Sequence, residues 1–113
     1  MRIKPGTVVL VNFPFTDLRS SKVRPAIALT QKGDDVIIIG IFSKVPEDLQ
    51  DTWIRLGEGD PGFKQTGLRK ASVIKTEKIA VVHQSFIRKE LGLLSPELLQ
   101  KVKQILGRTL GIE

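Results

Sequence analysis

The chain has 113 residues, 18 of them Lys or Arg and 12 Asp or Glu, which gives a net charge of +6 with the single histidine neutral. Its 41% of apolar residues suit one compact core and are too few for two. We therefore predict a single domain over residues 1–113 and exclude a largely disordered chain. Cysteine is absent, which excludes disulfides, thiol nucleophiles and cysteine-based metal sites and favours a reducing compartment.

A membrane or secreted location is not expected from this sequence. No apolar run approaches the roughly 20 residues that a membrane helix needs. The first residues are not followed by the apolar core and cleavage site of a signal peptide. We expect a cytoplasmic protein without a membrane partner.

The charge is unevenly distributed along the chain. Residues 1–33 carry six basic and one acidic side chain, residues 34–60 carry two and seven, and residues 61–113 carry ten and four. Two basic ends therefore flank an acidic middle. Clustered Lys and Arg attract polyanions such as nucleic acids, although a basic balance of this size is also common on ordinary solvated surfaces.

The first half of the chain predicts four strands. Runs of β-branched and apolar residues bounded by Pro and Gly are typical of strands. Because Pro25 cannot donate to a strand ladder, the second strand is expected to begin there or to lie at a sheet edge. Gly33 marks a tight turn, and Gly40 indicates a bulge in a strand buried on both faces. The predicted strands cover residues 7–13, 26–30, 36–42 and 51–56, with a loop of functional length at 14–23.

The second half predicts two more strands and a helix. Residues 67–76 and 78–82 have strand patterns, the first with basic residues on its exposed side, and residues 84–91 favour a short helix or turn. Ser95, Pro96 and Glu97 are typical of a helix start, and apolar residues at three-and-four spacing extend that helix from about 96 to 110. Strands followed by one helix, without βαβ alternation, favour a mostly β fold: a small, bent antiparallel barrel capped by a C-terminal α-helix.

Several segments together resemble the MazF/PemK toxins of type II toxin–antitoxin systems. The similarity runs through Val8–Leu18, Lys22–Leu29 and Asp35–Lys44, and continues through Gly67–Lys75 and the C-terminal helix. Its most specific element is Lys22-Val23-Arg24-Pro25. The resemblance implies an SH3-like barrel of the MazF, Kid and CcdB type that forms a homodimer. It also implies a metal-independent endoribonuclease without cofactors that cuts single-stranded mRNA, and a cognate antitoxin whose acidic, disordered tail occupies the RNA groove.

The chemistry of such an enzyme can be compared with the residues. Attack of a 2′-hydroxyl on phosphorus needs a proton acceptor, a cation for the phosphorane and a donor for the leaving oxygen. The resemblance implies Arg24 and Ser43 as catalytic residues, and Arg24 suits the cation role because its planar fork binds phosphate oxygens. Many relatives show Ile-Thr-Ser where this chain has Ile41-Phe42-Ser43, so Phe42 occupies the threonine position. Either Ser43 reaches the phosphate, or Phe42 stacks on a base instead.

The remaining candidates concern RNA binding and acid–base chemistry. Relatives of the Kid type carry Arg and Asp where this chain has Lys70 and Ser72, so an aspartate base is missing there. Histidine is a common acid–base residue near neutral pH, but His83 lies beyond the matched motifs. The resemblance implies RNA contacts from Phe15, Asp17, Arg19, Lys22, Lys44, Lys70 and Ser72.

Two alternatives remain open at this point. A toxin of the same fold can instead act on a protein such as DNA gyrase, as CcdB-like toxins do, and fold does not separate these activities. A relative that binds RNA without cleaving it is the second alternative, which Phe42 favours.

Overall fold

The computed structural model describes residues 2–12 and 23–112. This part of the chain holds six strands, two 3₁₀ turns and one α-helix, so the predicted mostly β architecture with a C-terminal helix is confirmed. The elements are β1 (Thr7–Asn12), β2 (Val23–Lys32), β3 (Asp35–Phe42), β4 (Trp53–Leu56), the 3₁₀ turn Lys64–Thr66, β5 (Ser72–His83), the 3₁₀ turn Gln84–Phe86, β6 (Ile87–Leu93) and α1 (Pro96–Leu110).

The six strands form one antiparallel sheet in the order β4-β5-β3-β2-β1-β6. Apolar side chains are buried on both of its faces. Ile38 of β3 belongs to one cluster, with Val9 and Ala26, whereas the neighbouring Ile39 belongs to a second cluster that includes Val102 of α1. The prediction that β3 is buried on both faces is therefore confirmed.

The pairing of β3 with β5 is irregular close to the candidate site. The pairing of β3 with β5 changes register between Ile39 and Ile41, on either side of the predicted position Gly40, but the extra residues lie in β5, between Ile74 and Ile79. Beyond this irregularity, Ile41 and Phe42 pair with Ile74 and Val73. The end of β3 is thus held against the beginning of β5.

The helix has the predicted bounds and the predicted N-terminus. Ser95 is its N-cap, and the Ser95 hydroxyl accepts a hydrogen bond of 3.2 Å from the backbone N–H of Leu98. Pro96 occupies the first helical position, and the apolar stripe buries Val102 against the sheet.

The expected position of β2 is wrong. The strand begins two residues before Pro25 and lies between β1 and β3. Pro25 pairs with Leu10 of β1. It is tolerated there because the described pairing with β3 starts only at Ala26, opposite Gly40.

The two strands predicted over residues 67–76 and 78–82 are one strand, β5, and its beginning is later than predicted. Gly67 has a φ of 74° and ends the 3₁₀ turn Lys64–Thr66, so the segment that follows is not extended. Arg69 and Lys70 consequently lie before β5 and are not part of a strand.

The short helix or turn predicted over residues 84–91 is correct only for Gln84–Phe86. The rest is β6, which pairs with β1 at the edge of the sheet. Its charged middle, Arg88, Lys89 and Glu90, is exposed and lacks the apolar alternation that identifies buried strands. Within the described ranges, no helix has both the length and the apolar character needed to cross a membrane.

Candidate active site

Arg24 lies in β2, opposite Val11 of β1, and its side chain is half-buried. The guanidinium carbon Cζ is 6.0 Å from the centroid of the Phe42 ring. Arg24 Nε is buried and has no hydrogen-bond partner in the part of the chain that the structure describes. Because an unsatisfied buried donor is costly, this guanidinium has unused capacity to bind an oxygen ligand.

Two aromatic rings surround the ammonium group of Lys75. Lys75 Nζ lies 4.7 Å from the centroid of Phe42 and 4.4 Å from that of Trp53, which are cation–π distances. Trp53 of β4 is the cross-strand partner of Lys75 in β5. Phe42 therefore has Arg24 and Lys75 beside its ring.

Glu77 continues this cluster on the side of Trp53. Trp53 Nε1 donates a 2.6 Å hydrogen bond to Glu77 Oε2, and the Thr52 hydroxyl donates one of 3.2 Å to Oε1. Partial burial by itself raises the pKa of Glu77, but the hydrogen bonds outweigh that effect, and the net pKa is below the ordinary value. Glu77 is thus a carboxylate at neutral pH, and its two oxygens are engaged.

Ser43, Lys70 and Ser72 come together in a cleft of about 350 Å³. Ser72 is buried, and its hydroxyl donates a 2.9 Å hydrogen bond to the backbone carbonyl of Lys70. Leu10 and Pro25 line the same cleft, as do the basic residues Arg69 and Lys89. The cleft therefore brings residues that are far apart in sequence, three of them predicted site residues, to one surface.

The structure groups Arg24 with Phe42 and groups Ser43 with the cleft. Neighbouring side chains of a strand point to opposite faces, and Ser43 lines the cleft on the side of Pro25, the residue next to Arg24. Phe42, and not Ser43, therefore lies beside the arginine, while a contact of either residue with RNA stays a prediction.

Other predicted residues have different positions. Lys44 follows the end of β3 and is exposed. His83 is exposed, and its Nδ1 accepts a 3.1 Å hydrogen bond from the backbone N–H of Ser85, so it caps the 3₁₀ turn Gln84–Phe86. Four predicted RNA contacts lie outside the described residues: Phe15, Asp17, Arg19 and Lys22.

A larger cleft of about 550 Å³ lies at the beginning of α1 and includes Gln65, Ser95 and Lys101. None of the predicted site residues lines it. In residues 2–12 and 23–112, no three His, Asp or Glu side chains are grouped as a metal site requires.

The sequence did not indicate the cluster of Lys75, Trp53 and Glu77. It predicted only that the basic residues of segment 67–76 lie on the exposed side of a strand. Only the pairing of β4 with β5 brings Lys75 and Trp53 together. An aromatic residue in the usual hydroxyl position, at Phe42, was the one feature that pointed toward this cluster.

Comparison with solved structures confirms the MazF type of fold. The chain is 18% identical to MazF from Deinococcus radiodurans, with 98% of each chain covered and a TM-score of 0.72. It is 17% identical to an endoribonuclease from a mycobacterial species, solved with its cognate antitoxin, with 96% of this chain and 95% of that one covered and a TM-score of 0.69. Mycobacterium tuberculosis toxin MazF-mt6 has 14% identity, 95% and 98% coverage and a TM-score of 0.72.

These identities are low enough that the likeness shows the fold alone. A comparison with curated proteins gave no match. The family model for PemK-like, MazF-like toxins of type II toxin–antitoxin systems, in contrast, matches residues 4–110, nearly the whole chain. The chain therefore belongs to this family of toxins.

Proposed function

We propose that this toxin is an endoribonuclease that cleaves single-stranded mRNA without a metal ion. The observation that carries the proposal is Arg24, near the beginning of β2, whose half-buried guanidinium has a donor without a partner among the described residues. A cleft with Lys70, Lys89 and two serines lies on the other side of the same strand. Phosphate groups of a single strand would be attracted to these cations.

The proposed reaction is a transesterification at phosphorus. The 2′-oxygen forms a bond to the adjacent phosphorus, the bond from phosphorus to the 5′-oxygen breaks, and the 2′-proton passes to a base while the 5′-oxygen receives a proton. The products are a 2′,3′-cyclic phosphate and a 5′-hydroxyl. Arg24 would stabilise the charge that develops on the phosphorane oxygens, because a guanidinium is charged at all working pH values and binds two oxygens at once.

The cleft is proposed as the path of the RNA strand. Ser43 is retained as a catalytic candidate that reaches the scissile group from the cleft side. Lys44, Lys70 and Ser72 are proposed to contact the strand, together with Phe15, Asp17, Arg19 and Lys22. The partners proposed with this function are a second copy of the chain and an antitoxin whose acidic tail competes with RNA for the same cations.

The proposal is tested with purified protein and a long RNA transcript in EDTA. We expect discrete cuts whose 5′ ends accept phosphate from polynucleotide kinase without prior phosphatase treatment, and whose 3′ ends are cyclic phosphates. An RNA that remains intact at every protein concentration would contradict the proposal.

Binding of RNA without cleavage is the second candidate, because a phenylalanine and not a hydroxyl stands beside Arg24. It predicts retention of the transcript in a gel-shift experiment with no new ends. Growth arrest on expression while cellular RNA stays intact would instead indicate a protein target.

A further inference from the structure

Lys75 has an environment that differs from that of an ordinary surface lysine. The side chain is half-buried, and its ammonium lies between the rings of Phe42 and Trp53, at 4.7 and 4.4 Å. The faces of aromatic rings attract a cation without using its N–H groups as hydrogen-bond donors to oxygen. The rings therefore fix the position of the ammonium and leave it able to donate to a ligand.

Lys75 shares one face of the sheet with two arginines. Phe42 pairs with Val73 and Val73 with Arg55, so these three side chains lie on the same face as the neighbouring pair Lys75 and Trp53. Arg24 joins this face through its contact with Phe42. The cations Arg24, Lys75 and Arg55 thus come from β2, β5 and β4.

The acidic residue closest to this group along β5 is already engaged. Glu77 accepts hydrogen bonds from Trp53 Nε1 and from the Thr52 hydroxyl. Its contacts hold the tryptophan ring in place over Lys75. Arg24 and Lys75, in contrast, meet at an uncharged ring, that of Phe42.

We propose that Lys75 is a phosphate-binding residue of the RNA site, which binds a second phosphate of the strand whose scissile phosphate Arg24 contacts. This inference rests on the proposed function. In this arrangement Phe42 is not a platform for a nucleobase but the spacer that separates two phosphate-binding cations. A long, flexible lysine that is already positioned by two rings loses little further freedom when it binds.

The experiment measures how salt weakens RNA binding in three proteins: the wild type, Lys75→Met and Lys32→Met. Methionine keeps an unbranched apolar side chain against the rings but removes the charge. Lys32 is an exposed lysine at the opposite end of β2 and supplies the control with the same loss of charge. The probe is a fluorescent, mixed-sequence 2′-O-methyl RNA of 20 nucleotides, which lacks the attacking hydroxyl and stays intact.

Each phosphate contact on single-stranded RNA contributes about 0.7 to the slope of log affinity against log salt concentration. We expect Lys75→Met to reduce the slope by roughly that amount, and Lys32→Met to leave it unchanged. Equal slopes for Lys75→Met and the wild type would overturn the inference and leave Lys75 as a purely structural contact between β4 and β5.

A second measurement uses the wild-type protein and so does not depend on the folding of a variant. Acetylation of each lysine by an activated ester is followed by mass spectrometry with and without the RNA. Protection of Lys75 by RNA supports the inference, whereas a Lys75 that RNA does not protect, or that the reagent does not reach in the free protein, overturns it. A wild-type protein that neither binds nor cuts RNA removes the proposed function and this inference together; cutting with an unchanged slope for Lys75→Met removes the inference alone.

Discussion

At the scale of single residues, Phe42 determines what the candidate site contains. Antiparallel pairing of Ala26 with Gly40 brings the beginning of β2 beside the end of β3. Two residues from this pair on each strand, Arg24 meets the Phe42 ring. The ring then contacts Lys75 on the next strand. A threonine at position 42 would offer a hydroxyl to Arg24 but no ring to Lys75. Phenylalanine at position 42 therefore lacks the hydroxyl, but its ring holds a second cation, Lys75, in position.

The first prediction concerns the hydrogen bond between Trp53 and Glu77. In Trp53→Phe the ring remains, but the Nε1–H that stabilises the Glu77 carboxylate is lost, so the pKa of Glu77 should rise toward its ordinary value. The measurement is a ¹³C NMR titration of the side-chain carboxyls, with the exposed Glu58 as the internal control. An unchanged pKa of Glu77 would contradict the described contact.

The lowered pKa of Glu77 also determines how the free energy of unfolding changes with pH. Because the pKa of Glu77 is lower in the folded than in the unfolded protein, its stabilising contribution is present above the unfolded pKa and is lost as pH falls through the folded value. Trp53→Phe should therefore unfold with a weaker dependence on pH in the acidic range.

The sequence selects individual candidate residues but not their spatial neighbours. Arg24, Ser43, Lys70 and Ser72 were selected from a resemblance to known toxins, and the structure places the last three in one cleft. The association of Arg24 with Phe42 and Lys75 was not predictable in this way. It depends on the register of three strands that are distant in sequence, and composition carries no record of that register.

At the scale of elements, β6 and the 3₁₀ turn Lys64–Thr66 pack backbone against backbone. A Cβ atom on Gly92 of β6 would overlap the carbonyl oxygen of Gln65, and one on Gly67 would overlap that of Leu91. Gly67 and Leu91 also line the cleft. The close approach of these two elements therefore shapes one wall of the candidate RNA path.

Two glycine substitutions test this close approach. Gly92→Ala should lower the free energy of unfolding by about 1–3 kcal/mol, since the new methyl group forces the backbone of the turn away. Gly107→Ala is the matched control: it lies inside α1 with open space around its Cβ, and the change should raise the free energy of unfolding by roughly 0.5–1 kcal/mol. Urea denaturation measures both, and a Gly92→Ala protein as stable as the wild type would refute the proposed contact.

Elements with local sequence signals were predicted well, and elements that depend on distant partners were not. The bounds of α1 follow from Ser95, Pro96 and a regular apolar stripe. β6 was missed because an edge strand needs little apolar alternation and is defined by its pairing with β1. The continuity of β5 was missed because its polar residues 75–78 interrupt the apolar pattern.

At the scale of the whole molecule, the fold rearranges the charge of the sequence. The cleft combines Pro25, next to Arg24 in the basic first third, with Lys70 and Lys89 from the basic last half. Asp34 and Asp35, from the acidic middle, lie at the turn between β2 and β3, at the opposite end of β3 from Ser43. Two acidic residues thus lie at one end of β3, and the cations of the cleft lie near its other end.

Two double variants with the same net charge test this distribution of charge. Lys70→Ala with Lys89→Ala removes two cations from the cleft, whereas Lys101→Ala with Lys103→Ala removes two exposed cations from α1. The first pair should reduce the salt dependence of RNA binding by about 1.4 in slope, from two phosphate contacts of roughly 0.7 each. The helix pair should leave the slope close to that of the wild type. Equal effects of the two pairs would mean that only net charge matters.

The proposed cleavage of RNA depends most on Arg24, so the cleavage rate of Arg24 variants tests it most directly. Single-turnover cleavage of a long RNA in EDTA is followed for the wild type, Arg24→Ala, Arg24→Lys and the control Lys32→Ala. Loss of one preorganised cation at a developing charge costs roughly 100- to 1,000-fold in rate, so Arg24→Ala should fall by that factor. Arg24→Lys should recover only part of the rate, because lysine lacks the planar fork, and Lys32→Ala should cut as fast as the wild type. An Arg24→Ala protein that folds normally and cuts at the wild-type rate would contradict the account.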